Sequence, residues 1–149
     1  EKDVRPTGRT SRGVRGIRLG KEGDRVIGVS LAQDDMTVLS ISENGFGKRT
    51  KVGEYRLQHR GGKGIINIKT TERNGDVIAM MTVTDKDEIV LVATNGIVMR
   101  SKIKDIRTIG RNTQGVKVMK PVKGAKVAGA ARAVAEETED EAATEGDES

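Results

Sequence analysis

Residues 42–55 read SENGFGKRTKVGEY, and residues 93–106, 51 positions later, read ATNGIVMRSKIKDI. Each stretch sets an Asn-Gly pair, Asn44-Gly45 or Asn95-Gly96, between two short runs, and such a pair supplies the left-handed backbone of a tight hairpin. Working outward, MTVLSIS (36–42) is matched by EIVLVAT (88–94) and DRVIGVSL (24–31) by DVIAMMTV (76–83), at one residue more than the hairpins' spacing of 51. Gly13, Gly64 and Gly115 share this spacing and open GVRGIRL, GIINIKT and GVKVMKP. Runs of 5–8 residues rich in Val, Ile, Met and Thr predict strands, and only the alanine-rich 125–135 has a helix-like period.

One repeat therefore reads as four short strands, the size of a propeller-type blade, which is stable only when stacked on neighbours. DVRPTGR (3–9) lines up with EYRLQHR (54–60) and DIRTIGR (105–111), so the chain opens partway through a repeat. Two full repeats follow, then a third that breaks off after its first strands. A closed propeller needs at least about four blades, and the first residue is Glu1 rather than Met. The expectation is an all-β fold in which residues 1–135 are the carboxyl-terminal part of a longer repeat domain.

Composition narrows the chemistry. With no cysteine and one histidine, disulfide frameworks and Cys/His zinc clusters are excluded. No run approaches the ~20 apolar residues of a membrane helix, and there is no signal-peptide segment. All 27 Lys and Arg lie in residues 1–135 with 14 of the 22 Asp and Glu, a net charge of +13. Residues 136–149, EETEDEAATEGDES, carry eight acids and no base, a composition that predicts a disordered tail. The tail reads equally well as a solubilising terminus and as a tethered competitor for the anion that the basic body binds.

The basic residues keep the period. Arg5, Arg56 and Arg107 are equivalent, as are Arg9, Arg60 and Arg111, and Arg18, Lys69 and Lys120. Arg12 matches Lys63, Arg49 matches Arg100, and Lys51 matches Lys102. Charge returning once per blade predicts a belt along one rim, suited to a regular polyanion gripped by its phosphates. Phe46 and Tyr55 are the only aromatics besides His59, too few for the ring platforms of single-strand binders, which favours duplex DNA. A propeller meeting acidic proteins or RNA is the alternative from another class.

No catalytic constellation emerges. Tyr55 occupies a slot that is Val4 and Ile106 in the other repeats, which points to packing rather than a nucleophile. The preceding acids, Asp3, Glu54 and Asp105, are read as local ion-pair partners or turn caps. His59 takes a slot that is Gly8 and Gly110, with no partner at informative spacing. HRGGKG (59–64) lacks the spacing and hydroxyl of a nucleotide-binding P-loop. It matches GRTSRG (8–13) and GRNTQG (110–115), and so reads as a blade-to-blade connection whose glycines bare backbone N–H groups to a phosphate. Asp34-Asp35 and Asp87-Glu88 read as solvated turns, and no metal site is expected.

These residues carry a resemblance. QHRGGKG (58–64) differs from the gyrase A box, QRRGGKG, only in having His59 for the first arginine. Together with GRTSRGVRGIRL, ENGFGKRTKVGEY, IKTTERNG and GRNTQGVKVM, it is similar to the later blades of the carboxyl-terminal domain family of DNA gyrase A subunits. The resemblance implies a β-pinwheel of about six blades that exchange strands. Its basic perimeter would wrap duplex DNA, with the box roles falling on Gln58, Arg60, Gly61, Gly62, Lys63 and Gly64. It also implies a parent enzyme, an ATP-dependent type II topoisomerase of composition A2B2 in the bacterial cytoplasm, associated with the nucleoid. The cleaving tyrosine, ATP and magnesium would all belong to other parts of it, so this chain is expected to be non-catalytic and without cofactor or metal. The corresponding domain of topoisomerase IV is the nearer alternative within the family.

Overall fold

The computed structural model describes residues 4–134. Its strands are β1 (Thr37–Ser42), β2 (Phe46–Lys51), β3 (Val77–Val83), β4 (Asp87–Ala93), β5 (Val98–Lys102), β6 (Val116–Lys117) and β7 (Val127–Val134). They form two antiparallel sheets, ordered β3-β1-β2-β6 and β5-β4-β7. The only helical pieces among the described residues are 3-10 turns at Val52–Glu54 and Ile103–Asp105. The fold is all-β, and Asp3 and the acidic tail lie outside the described residues.

Both Asn-Gly stretches are hairpin turns, β1 running into β2 and β4 into β5. In each, glycine alone takes the left-handed conformation, at φ 80 for Gly45 and φ 84 for Gly96. The loops have three residues (43–45) and four (94–97) rather than two, and in both the asparagine stays on the ordinary side of the backbone map. A register shift at Ile41/Ser42 recurs at Val92/Ala93, so the strands repeat in detail.

The repeat has a different phase from the one expected. β3 adds to the free edge of β1, from Thr37↔Val83 onward, and β7 adds to β4 in the same way, from Asp87↔Val134. A unit is therefore a hairpin, a long connection and a closing strand. β6 belongs to the connection of the second unit but pairs with β2 of the first, Phe46↔Lys117 and Gly47↔Val116. The four-stranded sheet thus draws on two units, a strand exchange of the kind the resemblance implies.

Several expected strands are absent for this reason. Residues 13–19 and 24–31 form no regular strand, and 64–70 contributes only a bridge from Ile68 to Thr113. By the register of β3 and β7, 24–31 has no hairpin within this chain to pair with, and Val29 and Leu31 remain 93% and 86% exposed. The alanine-rich segment becomes β7, because pairing along the whole of β4 overrides alanine's helical preference.

The sheets share one core, with Leu39 and Ile41 of β1, Val83 of β3, Ile89 and Leu91 of β4 and Val127 of β7 among its members. The first hairpin loop is strapped to the start of β7: Val127 N–H donates to the Glu43 carbonyl at 2.7 Å, and Lys126 Nζ lies 2.7 Å from Glu43 Oε2. Hydrogen bonding from Lys126 holds the Glu43 carboxyl below its ordinary value, against a smaller opposing effect of burial. A carboxyl lowered by folding stabilises above its unfolded value and loses that contribution as pH falls through its folded value. Glu43→Gln is accordingly expected to cost less than about 1 kcal/mol near neutrality, the Lys126 side chain being 55% exposed. Urea midpoints measured against pH should converge with wild type in acid; a gap persisting there would refute the ion-pair account.

Candidate nucleic-acid interface

The long connections within the two units are built alike. Gly61 N–H donates to the Gly16 carbonyl at 2.6 Å, and Arg18 N–H donates to the Gly62 carbonyl at 2.8 Å. One repeat later, Asn112 N–H donates to Asn67 O at 2.8 Å and Lys69 N–H to Thr113 O at 2.9 Å. Every partner is displaced by 51 residues. Gly61 (φ 77) and Asn112 (φ 53) hold the same left-handed position, which asparagine tolerates better than most residues do. Each turn is thus laid against the stretch that opens the preceding repeat.

This latch corrects one expectation. The Gly61 N–H is engaged by the Gly16 carbonyl rather than bared for a phosphate. What the latch does instead is bring two recurring sets of bases together. Arg18 is joined to the turn that carries Arg60 and Lys63, and Lys69 to the turn that carries Arg111.

Most expected contact residues are solvent-facing: Arg5, Arg9, Arg12, Arg18, Lys51, Arg56, Gln58, Arg60, Gly62, Lys63, Gly64, Lys69, Arg100, Lys102, Arg107 and Lys120. Gly61 and Arg111 are half-buried. The Arg111 N–H donates to Glu54 Oε2 at 3.3 Å, so Glu54 caps the turn of the following repeat.

Arg49 departs from the expected belt. Its side chain is 7% exposed, its Nε donates to the Ile106 carbonyl at 2.7 Å, and its Nη1 pairs with Asp85. Its backbone is also bonded to Arg107 O and Ile109 N–H. The equivalent Arg100 pairs with Glu88 and is 51% exposed. The difference is coverage: β2 lies between β1 and β6, whereas the outer edge of β5 has no strand partner among the described residues.

Lys48, absent from the expected set, is fully buried and donates to Asn67 O at 2.5 Å and Gly110 O at 2.8 Å. Burial lowers its ammonium below the ordinary value, and Glu54 partly opposes this. Met99 in the equivalent slot is the one sequence signal that position 48 faces inward. Asn67 also receives the Tyr55 hydroxyl at 2.5 Å and donates to Ser40 Oγ at 2.6 Å. Burial raises the Tyr55 phenol above its ordinary value, and Ile106 in the same slot is core. The tyrosine is a packing residue with a polar anchor at its hydroxyl. Asp87, expected to be solvated, is buried and accepts from Thr84 N–H at 2.7 Å and Thr84 Oγ1 at 3.0 Å.

Leu57, Gln58, His59 and Arg60 line a concavity beside the 59–64 turn, and a second continues past Val4, Gly16, Ile17, Gly62 and Gly64. Among the described residues, no three His, Cys, Asp or Glu side chains are grouped to hold a metal ion, and no helix is long and apolar enough to cross a membrane.

A family model described as DNA gyrase C-terminal domain, beta-propeller, matches residues 1–33, 37–84 and 87–133. The last two segments each contain one hairpin with its closing strand, the unit defined by the sheets. The DNA gyrase A protein of Staphylococcus epidermidis (strain ATCC 12228 / FDA PCI 1200) is 47% identical over 122 residues, covering 80% of this chain and 14% of that protein. Its counterpart in Escherichia coli (strain K12) is 43% identical over 141 residues, covering 95% of this chain and 16% of that protein. The chain therefore spans only a small part of these relatives. A solved DNA gyrase A C-terminal domain superposes with a TM-score of 0.78 at 29% identity, over 88% of this chain and 44% of that one. The C-terminal domain of a DNA topoisomerase IV gives 0.80 at 22% identity, over 89% and 41%, a likeness of fold alone.

Proposed function

Because this chain belongs to the family of DNA gyrase C-terminal β-propeller domains, we propose that it grips duplex DNA by its phosphates and wraps it without reading sequence. The observation that carries this reading is the repeated latch, which sets Arg18 against the Arg60–Lys63 turn and Lys69 against the Arg111 turn. Phosphate contacts of this kind position a duplex and hold it, while base contacts would be needed to choose a sequence. One tyrosine, one phenylalanine and no tryptophan leave little for stacking unpaired bases. The bend in a wrapped duplex costs elastic energy that further phosphate contacts offset.

In this reading the chain is a non-catalytic part of a gyrase A protein. Joined to the rest of that protein and to its B partner, in an A2B2 complex, it would support ATP-dependent negative supercoiling in the bacterial cytoplasm, at the nucleoid. ATP and magnesium would act elsewhere in that complex. Relatives at 43% and 47% identity that are gyrase A proteins favour this over the topoisomerase IV alternative.

Fluorescence anisotropy with a labelled duplex across a salt series tests the reading. Affinity should fall steeply with salt, and the double substitution Arg60→Ala/Lys63→Ala should reduce the slope by about 2 while weakening all sequences alike. Equal binding to a scrambled acidic peptide, or preference for single-stranded RNA, would overturn it in favour of the acidic-protein or RNA alternative.

A further inference from the structure

We infer that His59 is a proton-linked phosphate contact, so that this chain takes up a proton at the 59–64 turn when it binds a duplex. The inference rests on the DNA reading above and adds a residue and a regulation to it. His59 is the chain's only histidine, and its slot is glycine in the other two turns, Gly8 and Gly110. The 110–115 turn makes the same latch with Gly110 in that slot, so the fold does not require an imidazole there. The side chain is exposed, and it lines both concavities beside the turn.

Among the described residues, the charged groups around it are of one sign. Arg60 lines the same two concavities, and Arg56 and Lys63 flank the turn. From the segment packed against the turn come Arg15, whose carbonyl faces Gly61, and Arg18, bonded to Gly62. Among the described residues no carboxylate lines either concavity, and the nearest acid in sequence, Glu54, caps Arg111 instead. Neighbouring cations disfavour an imidazolium and an adjacent phosphate favours it. Only a bound duplex brings such a phosphate to the turn. The proton comes from the buffer, and no other group need change. Histidine is the one side-chain type whose ordinary titration falls between about pH 5 and 8, and the chain has no cysteine to confuse the signal.

Calorimetric titration of the chain with a duplex, in buffers of different ionisation heat at fixed ionic strength, counts the protons taken up. The expected count is up to one, with binding about three- to tenfold tighter near pH 6 than near pH 8. His59→Asn should abolish the uptake and flatten the profile at the weaker level, and His59→Arg should flatten it at the tighter one. The single imidazole resonance should also shift when the duplex is added. Unchanged pH dependence in His59→Asn, or no uptake by a wild-type chain that does bind duplex, would overturn the inference. Failure to bind duplex at either pH would instead remove the DNA reading, and this inference with it.

Discussion

Gly45→Ala is expected to destabilise the chain by about 3–5 kcal/mol, a large fraction of the total stability of a domain of this size. Two independent costs meet at this residue. Its φ of 80 is one that an L side chain adopts only with strain. An added Cβ would also fall well inside the Met119 carbonyl oxygen and 3.0 Å from Pro121 Cδ. The Gly45 carbonyl accepts both Val118 N–H at 2.8 Å and Met119 N–H at 3.1 Å, so this is where the exchanged strand β6 is seated. Met119 backbone and a rigid proline ring leave no flexible side chain to swing away. Gly96→Ala is the control: φ is 84 but nothing lies within 4 Å of the added carbon. It should cost only the left-handed strain, roughly 1–2 kcal/mol. Denaturant midpoints of the two variants should differ widely, and equal losses would refute the close approach of β6.

Arg49→Met should cost about 3 kcal/mol, because it leaves the buried Ile106 carbonyl without its donor and breaks the pairing with Asp85. Arg100→Met, in the equivalent slot, should cost less than about 1 kcal/mol, its partner Glu88 being met at the surface. DNA affinity of the Arg49 variant, corrected for the unfolded fraction, should stay near wild type. A fully stable Arg49→Met chain with weakened duplex binding would return Arg49 to the belt.

The period of this fold is legible in the sequence because hairpin turns have strict chemistry: Gly45 and Gly96 each need a left-handed backbone and announce themselves. The phase is not legible. Whether 24–31 or β3 pairs with the hairpin at β1 depends on which edge a later segment reaches, and local composition carries no trace of that. The same limit explains the site. Arg49 and Arg100 are indistinguishable by position in the repeat, yet one is covered by the following unit and the other is not. Lys48 is recoverable only through Met99. The bases on the turns are legible because turns stay at the surface, whereas the fate of the Gly61 N–H is hidden because its acceptor, Gly16, lies 45 residues away.

The seating of β6 in its neighbour's sheet has a mechanical consequence. Units that merely touch can come apart one at a time, like beads. Here the first sheet loses its fourth strand if the second unit opens, and the second unit loses the anchor of its connection if the first does. Strain applied by a bent polymer at the 110–115 turn would therefore pass along β6 into β2, and the two units would bear it as one body.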